Sequence, residues 1–106
     1  AGGKERVTLR QLLSHQAGLP AVEPRLAEDA LLHWDVMTAA LAAQAPWWEP
    51  GTRHGYHVNT FGFLVGEVVR RVDGRSLGTL LRQEIAAPLG ADVHIGLAAE
   101  HDARVA

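Results

Sequence analysis

Apolar residues recur along the middle of the chain at the spacing of an α-helix. Counted from Phe61, apolar residues stand three, four, seven, eight and eleven positions later, at Leu64, Val65, Val68, Val69 and Val72. Charged residues face the other way, so the pattern predicts an amphipathic helix that ends at Asp73-Gly74. Gly62 and Gly66 stand four residues apart on it, which indicates close packing of another helix.

A first helix is predicted near the N-terminus. Thr8 and Gln11 have the spacing of a capping box, in which the two side chains satisfy free backbone N–H groups at a helix start. The helix is expected to end near Gln16, because Gly18 can adopt the left-handed conformation and Pro20 cannot continue a helix.

Two more helices follow from capping residues and apolar spacing. A loop reaches about His33, and Asp35 is expected to cap a second helix that ends before Pro46, with Val36, Ala40 and Leu41 facing inward. Ser76 is expected to cap a fourth helix that Pro88 and Gly90 close, with inward positions at Leu77, Leu80, Leu81 and Ile85. The segment from Val93 to Leu97 is the one plausible strand.

The length of 106 residues predicts a single folding unit. Alanine supplies 17 of the apolar residues and each buries little area, which favours a piece of a larger domain over a self-sufficient core. The expected fold is therefore a mainly α segment, residues 1–106, of about four helices and one possible strand. A small helical domain complete in itself stays open as an alternative.

Charge and composition exclude several classes of function. The net charge is −2 and the nine arginines are scattered, so the basic stripe of a nucleic-acid-binding protein is missing. The chain has no cysteine, hence no thiolate metal site, and no apolar run of membrane-spanning length. We expect no metal and no cofactor. The cytoplasm is compatible with these features, and the sequence does not indicate an oligomeric state.

The candidate chemistry centres on one tyrosine. Tyr56 follows a Pro50-Gly51 turn and precedes the amphipathic helix, a natural place to hold a phenol at the edge of a cleft. The obvious proton donor, a serine with a lysine three residues later, does not occur in the chain. The serines are Ser14 and Ser76, and the one lysine is Lys4. The sequence therefore predicts part of an active site whose nucleophile lies elsewhere.

Three segments resemble the serine β-lactamase and penicillin-binding protein superfamily, in particular its class C-related, esterase-like hydrolases. Residues 7–20, Val-Thr-Leu-Arg-Gln-Leu-Leu-Ser-His-Gln-Ala-Gly-Leu-Pro, are similar to a helix and turn that ends in "LLxHxSGLP". Residues 49–56 are similar to the family's "PG…Y" loop, and residues 64–66, 73–76 and 88–90 follow as in the elements after that tyrosine. The order of these segments makes the resemblance fairly specific. It implies that residues 1–106 are the helical subdomain of a larger domain with the β-lactamase/transpeptidase-like α/β fold.

The resemblance implies acyl transfer to a serine on an S-x-x-K helix outside the chain, with Tyr56 as general base. A free phenol is protonated at neutral pH, so this role needs a positive field, which the absent lysine would supply, with Arg53, His54 or His57 adding to it. Implied substrates are small esters, β-lactams or D-amino-acid peptides. The alternative within the family is a non-catalytic binding or scaffolding module.

The chain departs from the family pattern just after the tyrosine. Many relatives carry a substrate-orienting asparagine two residues later, where this chain has Val58, with Asn59 one position further on. The spacing from Tyr56 to Gly66 is also one residue longer. Asn59 would either contact substrate or, as we favour, cap the helix. His57 is a second candidate substrate contact, and losing the asparagine favours esters over β-lactam amides.

The other histidines and the tryptophans have simpler interpretations. His54 and His57 lack a third ligand in register, so a metal site is not expected. Adjacent helical residues point in different directions, so His15 cannot serve Ser14 as a base and is expected to bond loop backbone groups. Trp47 and Trp48 are expected to pack the loop on the helices, with an acyl pocket wall as the alternative.

Overall fold

The computed structural model describes residues 2–105, which contain helices and no strand. The five helices are α1 (Leu9–Leu13), α2 (Trp34–Ala43), α3 (Phe61–Asp73), α4 (Leu77–Leu81) and α5 (Ala87–Leu89). A π-turn, Arg82–Ala86, joins the last two, and short 3-10 turns occupy Ala30–Leu32 and Ala99–Arg104. The chain divides into two compact units, with the boundary after Val68. Within residues 2–105 no helix is long and apolar enough to cross a bilayer.

Helix α1 begins as predicted and ends early. Both halves of the capping box are formed: the Gln11 N–H donates to the Thr8 hydroxyl, and the Thr8 N–H donates to the Gln11 side chain. The predicted end near Gln16 is wrong, because Ser14 already caps the C-terminus and His15 takes the left-handed conformation, with φ of 58°. A left-handed residue terminates a helix, and here a histidine does so three residues before Gly18.

Helix α2 is present, but the predicted cap and inward face are shifted. Asp35 lies in the first turn, and the extended residue that flanks the helix is His33. The buried face consists of Met37, Thr38 and Leu41, so the predicted inward face is confirmed at Leu41 and wrong at Val36, which is exposed. Starting the helix at Trp34 explains the shifted cap, because the side chain at position 35 is then already inside the first turn.

The core of the first unit is small and partly polar. Its apolar members are Ala17, Leu19, Ala30, Met37 and Leu41, and its buried polar members are Thr38, Gln44, His57 and Thr60. Such polar groups are costly to bury unless they are hydrogen-bonded. Gln44 meets this requirement because its amide accepts from the Glu23 N–H at 2.8 Å and donates to the Ala21 carbonyl at 2.9 Å.

Helix α3 ends at Asp73, as predicted, and begins at Phe61. Gly74, with φ of 88°, follows its last residue. The predicted close packing is confirmed at Gly66, where a Cβ would lie 2.6 Å from the Trp34 ring. It is wrong at Gly62, where a Cβ would meet no atom of another element within 4 Å. The Trp34 indole N–H also donates to Glu67 at 2.9 Å. These contacts fix the start of α2 against the N-terminal half of α3.

In the second unit, the predicted Ser76 cap is confirmed, since its hydroxyl accepts from the Thr79 N–H at 3.2 Å. Pro88 does not close the helix: it lies within α5, and Gly90, at φ of 61°, ends it. The π-turn precedes this proline, which has no N–H to donate to the carbonyl four residues back.

The predicted strand from Val93 to Leu97 is wrong, because the segment is an irregular loop. Val93 and Ile95 are about half exposed, at 46% and 51%. A strand is stable only when a neighbouring strand satisfies its backbone groups, and residues 2–105 supply no such partner.

Candidate functional site

The loop before Tyr56 is fastened to the turn after α1 by backbone hydrogen bonds. The donors are the N–H groups of Trp47, Gly51 and Gly55, and the respective acceptors are the carbonyl oxygens of Gly18, Gln16 and His15, at 2.7, 3.0 and 3.2 Å. The Gln11 side chain adds a bond to the Pro50 carbonyl at 3.2 Å. The loop is therefore irregular in backbone conformation and nevertheless held along its whole length.

Two glycines allow this close approach. Gly18 has φ of 78°, and a Cβ there would lie 2.7 Å from the Trp48 carbonyl oxygen. At Gly55 a Cβ would lie 2.7 Å from the Trp48 ring. Side chains would be strained or excluded at these positions. The predicted packing role of Trp48 is confirmed, whereas Trp47 is half exposed and contributes its backbone N–H.

Tyr56 presents its side chain to the outside of the described unit. It is 69% exposed, and its ring meets the ring of His15 edge-on, with centroids 5.1 Å apart. The residues on either side of Tyr56 both bond to His15: the Gly55 N–H donates to the His15 carbonyl, and the His57 N–H donates to His15 Nδ1 at 3.1 Å. The backbone that carries the phenol is thus held at two adjacent points.

His57 is buried directly beneath this backbone, at 1% exposure. Its Nε2 accepts from the Leu19 N–H at 3.0 Å, so its Nδ1 carries the proton and donates to the Gly55 carbonyl at 2.5 Å. Burial lowers the pKa of the imidazole below its ordinary value, opposed by the Gly55 carbonyl and reinforced by His15 and His54. A neutral ring is what this bonding pattern requires.

The turn between His57 and α3 is anchored to Leu19, the core residue that also bonds His57. Thr60 is fully buried, and its hydroxyl donates to the Leu19 carbonyl at 2.6 Å. Leu19 therefore has its N–H bonded to His57 and its carbonyl bonded to Thr60. The ring of Phe61 stacks on His15 with centroids 4.7 Å apart. Tyr56 is followed by a rigid link into α3.

Of the other predicted site residues, Asn59 and His54 are exposed, whereas His57 is buried. Asn59 is exposed in the turn before α3, and Thr60, not Asn59, directly precedes the helix, so the preferred capping role is not where we expected it. His54 is exposed, with its ring 6.0 Å from that of His15. His57 has both ring nitrogens bonded to backbone groups. No cluster of three metal-ligating side chains occurs within residues 2–105.

Both serines serve local structure. The Ser14 hydroxyl donates to the Arg10 carbonyl at 2.7 Å, and the Ser76 hydroxyl caps α4. The prediction that His15 bonds loop backbone groups is confirmed. Sequence reasoning missed Thr60, and it missed the burial of His57. A histidine directly after the tyrosine, followed three residues later by a threonine, is the pattern that would have suggested a buried polar link.

Comparisons with known proteins agree on one family. A family model described as Beta-lactamase matches residues 1–106. The esterase/beta-lactamase LipL of Mycobacterium tuberculosis (strain ATCC 25618 / H37Rv) is 39% identical over 97 residues, which are 91% of this chain and 22% of that protein.

Two solved structures share the fold of the segment. The crystal structure of a novel penicillin-binding protein homolog from Caulobacter crescentus matches 99% of this chain and 28% of its own, at 49% identity and a TM-score of 0.90. A family VIII carboxylesterase matches 100% of this chain and 30% of its own, at 51% identity and a TM-score of 0.93. The chain spans less than a third of the length of each of these proteins.

Proposed function

Because this chain belongs to the β-lactamase family, we propose that it forms the tyrosine-bearing wall of a serine hydrolase that cleaves small esters or amides through an acyl-enzyme. Residues 1–106 would be a helical part of one larger domain. The serine and its lysine would come from a part of the protein outside these residues, since the chain has no Ser-x-x-Lys sequence. Without them the segment should have no turnover of its own.

The observation that carries this proposal is the presentation of Tyr56. An exposed phenol normally has freedom to move, but here hydrogen bonds to His15 fix the backbone on both sides of it. Catalytic groups have to be held close to their working geometry, because small misplacements cost large factors in rate. A rigid backbone under an exposed phenol fits a group that exchanges a proton with a partner across a cleft.

The proposed reaction gives Tyr56 two proton transfers. The serine hydroxyl loses its proton to the phenolate oxygen of Tyr56 as its oxygen bonds to the substrate carbonyl carbon. The phenol then returns that proton to the leaving oxygen or nitrogen when the carbonyl re-forms. Water cleaves the acyl-enzyme by the same route and releases the acid. A lysine ammonium near the phenol would favour the phenolate form.

We favour esters as substrates. Val58 stands where many relatives have a substrate-orienting amide, and Asn59 comes one residue later. Asn59 is exposed and remains our candidate substrate contact. His57, in contrast, is buried with both nitrogens bonded to the backbone, so we assign it to holding the loop and not to binding substrate. The name of one structural relative, a family VIII carboxylesterase, supports this preference.

The decisive experiment is Tyr56→Phe in the full-length protein. We expect the fold to be kept and kcat for a chromogenic aryl ester to fall by about 10²-fold or more, in the range of a lost general base. His33→Phe, at an exposed position outside this loop, is the control and should leave turnover within about threefold. Unchanged turnover in Tyr56→Phe would remove the tyrosine from the mechanism. A full-length parent protein with no turnover of ester or β-lactam substrates would leave the non-catalytic module as the better explanation.

A further inference from the structure

The structure contains an energetically unfavourable residue next to the candidate base. His15 is the one non-glycine residue with positive φ among residues 2–105, at 58°. That conformation costs an ordinary L-residue about 1–2 kcal/mol, although histidine adopts it more often than most residues do. Glycine would avoid the cost. Strain that persists beside a candidate site indicates that the strained side chain is needed there.

The contacts of His15 show what its side chain supplies. Its carbonyl accepts the N–H of Gly55 at 3.2 Å, and its Nδ1 accepts the N–H of His57 at 3.1 Å. These two N–H groups belong to the residues on either side of Tyr56. The ring of His15 also lies against the phenol ring, 5.1 Å away, and stacks on Phe61. One residue thus bonds the backbone around the phenol and contacts its ring.

We propose that His15 is a positioning residue for Tyr56, holding the phenol through the Nδ1 acceptor of a neutral imidazole. The inference rests on the proposed function of Tyr56 and adds a second residue to it. His15 exchanges no proton with substrate. It acts through Tyr56, because its Nδ1 fixes the peptide that links Tyr56 to His57. His57 continues the link to the core through Leu19.

Two substitutions separate the contributions of the His15 side chain. Asparagine tolerates positive φ, and its amide oxygen occupies the position of Nδ1, so His15→Asn keeps the acceptor and loses the ring. Phenylalanine keeps a ring and loses the acceptor. If positioning depends on the acceptor, His15→Asn should retain kcat within about threefold, whereas His15→Phe should lower kcat at least about tenfold with KM nearly unchanged.

The test measures kcat and KM for a chromogenic aryl ester with the full-length protein. Its four variants are His15→Asn, His15→Phe, Tyr56→Phe and the double variant His15→Phe/Tyr56→Phe. His33→Phe is the matched control, because His33 is an exposed histidine that lies outside this site. In the double variant, His15→Phe should cost nothing beyond the loss already caused by Tyr56→Phe, since a residue that acts only through the phenol has no further effect once the phenol is gone.

Three outcomes would overturn the inference: an unchanged kcat in His15→Phe, an equal loss in His15→Asn and His15→Phe, or a loss in the double variant that multiplies the two single losses. Thermal unfolding of each variant accompanies the kinetics. If His15→Phe folds poorly, His15→Gly removes the Nδ1 acceptor without the cost of positive φ and should show the same loss of kcat, whereas full kcat in His15→Gly would overturn the inference. Full activity of Tyr56→Phe is a different failure, because it would overturn the proposed function itself.

Discussion

The buried imidazole of His57 provides a test of the architecture that does not depend on catalysis. At 1% exposure it bonds the Leu19 N–H through one nitrogen and the Gly55 carbonyl through the other. His57→Leu keeps a side chain of similar bulk and removes both bonds. The Leu19 N–H lies in the core, where an unsatisfied donor costs about 1–3 kcal/mol. The Gly55 carbonyl is only half-buried, so its loss costs about 1 kcal/mol.

The greater apolar area of leucine offsets roughly 1 kcal/mol of this sum. We therefore expect His57→Leu to lower the free energy of unfolding of the full-length protein by about 1–3 kcal/mol. His57→Gln can place its amide oxygen where Nε2 accepts, so it should retain the Leu19 bond and lose about half as much. His54→Leu is the matched control, because His54 is exposed, and it should change stability by less than about 0.5 kcal/mol.

Urea unfolding with linear extrapolation measures these differences. Hydrogen exchange of the Leu19 amide locates them, since its protection should fall in His57→Leu and remain in His54→Leu. The reasoning is refuted if His57→Leu is as stable as the parent protein. It is also refuted if His54→Leu is equally destabilised, because the effect would then not come from the buried bonds.

Three further predictions follow from the same packing. Burial lowers the pKa of His57, so the unfolded chain binds a proton at this residue before the folded chain does as the pH falls. The free energy of unfolding should therefore decrease below about pH 6.5 by at most about 1.4 kcal/mol per pH unit. Urea unfolding of His57→Leu at the same pH values should lack the part of this decrease that comes from His57. Gly18→Ala combines positive φ with a clash and should lower the free energy of unfolding by at least about 2 kcal/mol. Gly62→Ala, in open space on α3, should raise it by up to about 1 kcal/mol. Melting temperatures of both variants equal to that of the parent protein would contradict both predictions. Thr8→Ala removes the capping box of α1 and should cost about 0.5–2 kcal/mol in urea unfolding, and no loss would show that the cap contributes little.

The helices could be predicted largely from local sequence. The capping residues Thr8 and Ser76 and the apolar face of α3 identify helices by rules that depend on neighbouring residues only. The family resemblance is confirmed, and with it the assignment of this mainly helical segment to the β-lactamase/transpeptidase-like fold. The sequence pattern predicts a strand at Val93 to Leu97 and the structure has a loop there, because β-branched residues favour strands only when a partner is present.

The candidate site depended on contacts between distant residues, and these are harder to predict. Tyr56 could be predicted because it lies in a motif that resembles the family. The backbone role of His15 could be predicted because helix geometry excludes it as a base for Ser14. Sequence patterns do not indicate that His57 is buried, since a loop histidine between exposed neighbours has no periodicity to place it. The early end of α1 is likewise not evident from the sequence, because glycine adopts the left-handed conformation at lower cost than histidine and Gly18 lies only three residues after His15.

The long sequence separation of these bonds affects how the protein is made. The hydrogen bonds of His57 to Leu19 and His15 join residues 38 and 42 positions apart. Short helices can form as they leave the ribosome, but such distant pairs wait until the second partner is synthesised, which takes about 2–8 s at 5–20 residues per second. During that interval water solvates the polar groups of the turn after α1. The segment around residues 15–19 therefore takes its final conformation only after His57 has been synthesised.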